Sequence, residues 1–448
     1  MEEITNQKTH VLVFPSPAQG HINPIVQFAK ILASKGNKVT ILTIDLVCKT
    51  MLLDCGPLIN IECIQHEYKP FTSMDDFLEW FQCFMLEKFT SIIHKFANTE
   101  YPVKVLVIDS LITWIIDLAH ELGLKVAAFH TQPVALSAIY YHIDHEDPSK
   151  IPFDGGSVVE LPSIPLLENE DLPTFITESD AYPTIKRLVF GQNFNFKKAD
   201  WLLFNSFDVL EKEVINWLRT QYKIKTIGPL VLSTYLDKVN GSSLIKPNYE
   251  TCKNWLDSKE VGSVVYVSFG SLASLDEQQM EELASGLMMS DCYFLWVVRA
   301  TEDNKLSEEF MSKAKEKALI VNWCPQLDVL DHPAVGCFFT HCGWNSTLEA
   351  LSLGVPMICM PQWADQPPNS KYISDVWQVG IRVKAGRDGR ITKEEVSSCI
   401  KEVMKGKKGV ILKENAIKWK KLAREAVDEG GSSNKNIKEF IQDCNALN

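Results

Sequence analysis

Two widely separated residues could act on a proton together. His21 lies in PSPAQGHINP after the mostly apolar run 8–14, and Asp109 lies in VLVIDS directly after the apolar run 103–108. A carboxylate beside an imidazole fixes the ring's tautomer and steadies its protonated form, so the pair would be a base and its orienter. Alone, His21 reads as a surface loop residue, and Asp109 or Ser110 as the cap of the next helix. The pairing gains weight because both residues follow strand ends, where open α/β sheets place their ligands. A second constellation runs from Trp323 to Gln366, WCPQLDVLDHPAVGCFFTHCGWNSTLEALSLGVPMICMPQWADQ. Its centre reads as strand (Val335–Thr340), turn (His341–Asn345), helix (Ser346–Leu353) and strand (Val355–Met360), a single βαβ unit. A glycine turn that feeds a helix start aims backbone N–H groups and the positive dipole end at one spot, which suits a phosphate. Ser346-Thr347-Leu348-Glu349 also fits a capping box, which would account for Ser346 and Glu349 without any ligand. It leaves Trp323, His341 and the Trp363-Ala364-Asp365-Gln366 tail unexplained.

The order and spacing of Trp323, Pro325, His341-Cys342-Gly343-Trp344-Asn345-Ser346 and Asp365-Gln366 resemble the signature box of plant family 1 UDP-dependent glycosyltransferases. The resemblance extends over essentially the whole chain, and the surroundings of His21 and Asp109 are similar to that family's catalytic dyad. It implies that Trp323 stacks on uracil, that Gln326 lies near the nucleoside, and that Glu349 holds the ribose hydroxyls. His341, Gly343, Trp344, Asn345 and Ser346 would cradle the diphosphate, with Gly270 and Ser271 as further phosphate contacts. Trp363, Asp365 and Gln366 would line the sugar, and a glutamine at the last position is similar to what glucose users carry. The phrase PQWADQ and the helical region 74–97 resemble the branch acting on small acids, thiohydroximates, steroids and triterpenoids.

Composition sets wide bounds. The chain has 448 residues, 46% hydrophobic and 23% charged, enough for two or three ordinary domains with sizeable cores. A formal net charge of −12 argues against nucleic acid as a partner. The N-terminus carries acidic residues before a short apolar run, unlike a secretory signal, so a cytoplasmic location is expected. The apolar window 103–119 is broken by Lys104, Asp109 and Asp117 and is no membrane span. Twelve cysteines without a C-x-x-C pair read as buried apolar residues, with neither disulfide nor zinc site expected.

The elements that must position these residues follow in order. The run 8–14, a helix over about 23–33 closed by Gly36-Asn37, and a strand over 39–44 make a first βαβ unit with His21 in its loop. Residues 74–97 carry Phe77, Trp80, Phe81, Phe84, Met85 and Phe89 at helical spacing, mostly core, with room for an apolar acceptor along one side. His142 to Asp147 is too crowded for a metal site and reads as a solvated loop, and 152–183 as a long irregular excursion. Residues 233–250, with Asn240-Gly241-Ser242-Ser243 and Pro247, form the best linker. Strands follow at 264–269, 294–298 and 318–321, then a helical tail over 413–444 broken at Gly430-Gly431.

The resemblance therefore implies a GT-B fold: α/β, with two doubly wound Rossmann-like domains facing across a cleft. The expected division is an acceptor domain at 1–235, a linker at 236–250, a UDP-sugar domain at 251–430 and a helix at 431–448 crossing back. The expected reaction is inverting transfer of glucose from UDP-glucose to a hydroxyl or carboxyl of a small apolar metabolite, giving a β-glucoside without a metal or other cofactor. A monomer is expected. An epimerase or phosphorylase of the same fold, and a non-catalytic binder, are the alternatives; His21 with Asp109 argues against the binder.

Overall fold

The computed structural model describes residues 9–45, 48, 58–66, 71–145, 158–178, 181–235 and 248–447. They form two compact units: 1–169, 174–242 and 425–448 in the first, 170–173 and 243–424 in the second.

The first unit is built on a parallel sheet of seven strands. These are β1 (His10–Phe14), β2 (Lys38–Ile44), β3 (Ile59–Ile64), β4 (Val103–Asp109), β5 (Lys125–His130), β6 (Trp201–Phe204) and β7 (Ile224–Thr226), in the order β3-β2-β1-β4-β5-β6-β7. β1 (HVLVF) is buried throughout, as expected of a parallel strand covered by helices on both faces. The order reverses direction between β1 and β4, which makes that gap the switch point where doubly wound sheets bind ligands. Helix 74–97 starts at Ser73, whose hydroxyl accepts from the Asp76 amide, and carries acids in its first turn and His94 and Lys95 in its last, both matched to its dipole. The tail helix Ser432–Asn445 packs on this unit, with the Phe440 ring 5.7 Å from Phe28 and 5.3 Å from Trp201.

The second unit repeats the plan with six parallel strands: β8 (Val264–Ser268), β9 (Tyr293–Val297), β10 (Ala318–Val321), β11 (Val335–Thr340), β12 (Met357–Cys359) and β13 (Gly380–Arg382). Their order is β10-β9-β8-β11-β12-β13, so the switch lies between β8 and β11. A four-residue piece of the long excursion, Glu170–Pro173, belongs here. Asp171, almost fully buried, receives Arg382 at 2.7 Å and Lys371 at 3.2 Å.

Three local readings need correction. The first helix runs from Gln19 to Ser34, so His21 sits in its first turn and not in a loop; Pro24, in the second turn, costs the helix one backbone hydrogen bond without ending it. His142 to His145 end the helix Val134–His145, because the apolar positions of that helix continue to Ile143 and outweigh the polar run; Glu146 and Asp147 lie outside the described residues. The excursion is only partly irregular: it holds a Val159–Leu167 bridge and helical turns at Asn169–Asp171 and Thr174–Thr177. Most of the 233–250 linker, 236–247, is outside the described residues. Among the described residues no helix is long and apolar enough to cross a membrane, and no group of three or more His, Cys, Asp or Glu side chains could hold a metal.

Candidate active site

Each unit carries candidate residues at its own switch point. In the first unit, His21 follows β1, Asp109 ends β4 and Thr131 follows β5, three neighbouring strands. The sheet thereby brings the sequence-predicted pair together, His21 Nδ1 lying 2.7 Å from Asp109 Oδ2. A carboxylate only accepts, so Nδ1 carries the proton and Nε2 is left as the ring's basic nitrogen. Asp109 is fully buried and also serves its bland role, its Oδ1 accepting from the Leu111 amide at 2.9 Å. Thr131 Oγ1 lies 3.0 Å from the same Nδ1, a second fixture for the ring that nothing in the sequence near His21 announces.

In the second unit, β8 delivers Gly270 and β11 delivers His341. A Cβ added at Gly270 would lie 2.7 Å from His341 Nε2, and one at Gly343 2.5 Å from it, so both glycines make room for the imidazole. Burial lowers the His341 pKa to about 4, with Arg299 pushing in the same direction against the pull of the Ser268 backbone carbonyl, which accepts from the ring. At neutral pH the ring is therefore an uncharged donor, and an anion here depends on backbone amides and the helix dipole for its charge. The helix starts at Trp344 with Gly343 as its N-cap, so the capping-box reading is wrong: Ser346 is already two residues inside. Glycine brings no side-chain acceptor to the first-turn amides. Ser346 and Glu349 instead accept from Gln326 Nε2, at 2.9 and 2.6 Å, while Tyr266 donates to Gln326 Oε1 at 3.0 Å. Desolvation raises the Glu349 pKa to about 7, opposed by that Gln326 bond. The Trp344 ring is buried against Trp377 and offers a ligand only its backbone, Asn345 is part-buried beside it, and the Trp323 ring is 41% exposed. Ser271 is exposed, with its carbonyl held by Arg299, which also holds the Ala273 carbonyl.

The loop after β12 presents Trp363, Asp365 and Gln366. Gln366 Oε1 accepts from the Gln362 and Trp363 amides at 2.8 and 3.1 Å, which fixes the orientation of its amide. Asn369 donates to Asp365 Oδ2 at 2.8 Å and to the Cys342 carbonyl at 2.9 Å, tying the last loop to the histidine turn. Cys342 and Ala364 both hold positive φ, 66° and 60°, without being glycine, a strain of order 1–3 kcal/mol of the kind that collects at binding sites. Thr131, Arg299, Tyr266 and Asn369 escaped the sequence reading because their partners lie on other elements.

Residues 203–426 match the family described as UDP-glucoronosyl and UDP-glucosyl transferase. UDP-glucosyltransferase 74AE2 of Panax ginseng is 47% identical over 97% of this chain and 98% of its own. This chain belongs to the UDP-glycosyltransferase family. Mogroside I-E synthase of Siraitia grosvenorii is 46% identical to the transferase, over 97% of this chain and 98% of its own. The crystal structure of Os79 from O. sativa in complex with U2F and trichothecene superposes with a TM-score of 0.87 at 35% identity, covering 97% of the transferase and all of that chain. The fold is GT-B, and the enzyme is a UDP-glycosyltransferase.

Proposed function

We propose that the transferase moves glucose from UDP-glucose to a hydroxyl of a small apolar plant metabolite, with inversion, giving a β-glucoside. The observation that carries this reading is the His21–Asp109 bond at the β1/β4 switch point. His21 Nε2 takes the acceptor proton as the acceptor oxygen attacks the anomeric carbon, and Asp109 steadies the imidazolium that forms. UDP leaves with its charge against the amides of Trp344, Asn345 and Ser346, beside His341, Gly343 and Ser271. Trp323, Gln326 and Glu349 take the nucleoside, and Trp363, Asp365 and Gln366 the sugar. Gln366 supports glucose, and the name of the Siraitia relative supports a terpenoid-like acceptor, with steroids and phenolics as the other classes.

His21→Ala should lower turnover of a hydroxyl acceptor by roughly 10²–10⁴, the range for a lost general base, while UDP affinity measured by calorimetry holds. Asp109→Asn should cost a similar amount or less, and the double variant should be far from additive. A carboxylic acid acceptor, already ionised, should suffer less from His21→Ala. Wild-type turnover of the hydroxyl acceptor by His21→Ala would overturn the assignment. The same reading has turnover proceed without a divalent ion, so exhaustive chelation should leave it largely intact; a near-complete loss restored by magnesium would refute that part.

A further inference from the structure

A second histidine–aspartate pair stands at the same end of the first sheet. Ile44 and Ile64 are the paired last residues of β2 and β3, and just beyond them Asp45 and His66 join, His66 Nδ1 to Asp45 Oδ1. The His66 side chain is only 5% exposed, whereas Asp45 is 29% exposed. His66 must be the donor, since a carboxylate only accepts, and Asp45 therefore keeps its second oxygen as an acceptor held in a fixed direction.

Aromatic rings pack on His66 and run from it to the end of β1, the strand that His21 follows. Trp80 lies 5.0 Å and Phe84 6.4 Å from the His66 ring, both on the helix 74–97. From Trp80 the wall continues through Phe77 at 5.9 Å and Phe81 at 6.1 Å from Phe77, and ends on Phe14, the last residue of β1, at 5.8 Å from Phe81. Phe77, Trp80 and Phe84 are only partly buried, so the core does not use them up. Phe81 and Phe14 are buried beneath them, and β3 and β1 are two strand spacings apart, roughly 10 Å, so the strand ends that carry the two pairs are separated by about the length of a fused polycyclic or biaryl skeleton.

We propose that Asp45, positioned by His66, accepts a hydrogen bond from a hydroxyl at the far end of an elongated apolar acceptor, whose other hydroxyl is thereby set at His21. This names the acceptor class, a rigid molecule with donors at both ends, and rests on the transferase reading only for what happens at His21. The probes are 4,4′-dihydroxybiphenyl and 4-hydroxy-4′-methoxybiphenyl, alike in length and differing in the distal donor. Calorimetry without UDP-glucose reads their binding, and transfer is assayed separately. Two equivalent ends give the diol a factor of two; a hydrogen bond to a charged acceptor should raise its advantage to about tenfold or more. Asp45→Ala should return the ratio to two, His66→Phe should lower it part-way, and His66→Gln, which keeps a donor, should retain more of it than His66→Phe. A wild-type ratio of two or less, a full ratio surviving in Asp45→Ala, or failure of the wild-type protein to bind either phenol would overturn the proposal. A diol preference with no glucose transfer would leave it standing and count against the transferase reading instead.

Discussion

Glu349 is a carboxylate whose surroundings favour its neutral form. Its pKa rises from an ordinary 4.5 to about 7. Below about pH 4.5 folded and unfolded chains both hold the proton; as pH rises from there through 7 the unfolded chain gives it up first, so the stability contributed by this group is progressively lost. Glu349→Gln has no such titration. Its melting temperature should sit near wild type at pH 5 and above it by a few degrees at pH 8, while UDP binds less well; an offset that does not change with pH would contradict the account. Trp323 presents the opposite case, a large ring left 41% exposed. If uracil stacks there, Trp323→Ala should weaken UDP binding by about 1–3 kcal/mol, and an unaltered affinity in calorimetry would remove the stacking role.

Among the elements, the last helix has a direct packing consequence. Phe440 is fully buried against Phe28 and Trp201, and Asn436 and Ser433 bind the Thr226 and Gly228 carbonyls beneath it. Phe440→Ala should destabilise the first unit by about 3–5 kcal/mol, visible as an earlier thermal transition that UDP does not restore. Most strands could be placed from sequence because parallel strands buried on both faces are unbroken apolar runs: 318–321 was delimited to the residue. The strand end at Thr226 is legible too, whereas β3, β5, β6 and β13 are not: β3 interleaves Asn60 and Glu62 with its apolar residues, and β13 is only three residues long. The His341–Gln366 turns were legible for a related reason: their chemistry is local, written in one continuous stretch. Thr131 and Asn369 were not, since each acts on a residue from a distant loop, and Ser346 misled because its spacing to Glu349 imitates a cap whose place Gly343 takes.

At the scale of the whole molecule, the two units are not two halves of the sequence. The second keeps its Arg382 and Lys371 beside Asp171, which comes from residues otherwise belonging to the first, and the first is completed by residues 425–448, which follow the second. The chain is interlaced at two places, which bears on modularity. Exchanging 248–424 between relatives as a cassette would carry two part-buried cations away from their acid, and separating the chain at 236–247 would strip Phe28 of its cover. A working chimera must move Glu170–Pro173 together with residues 243–424 and match the tail helix to the first unit, so swapping units between relatives calls for four junctions, at 169/170, 173/174, 242/243 and 424/425, where the linear order of the chain suggests one.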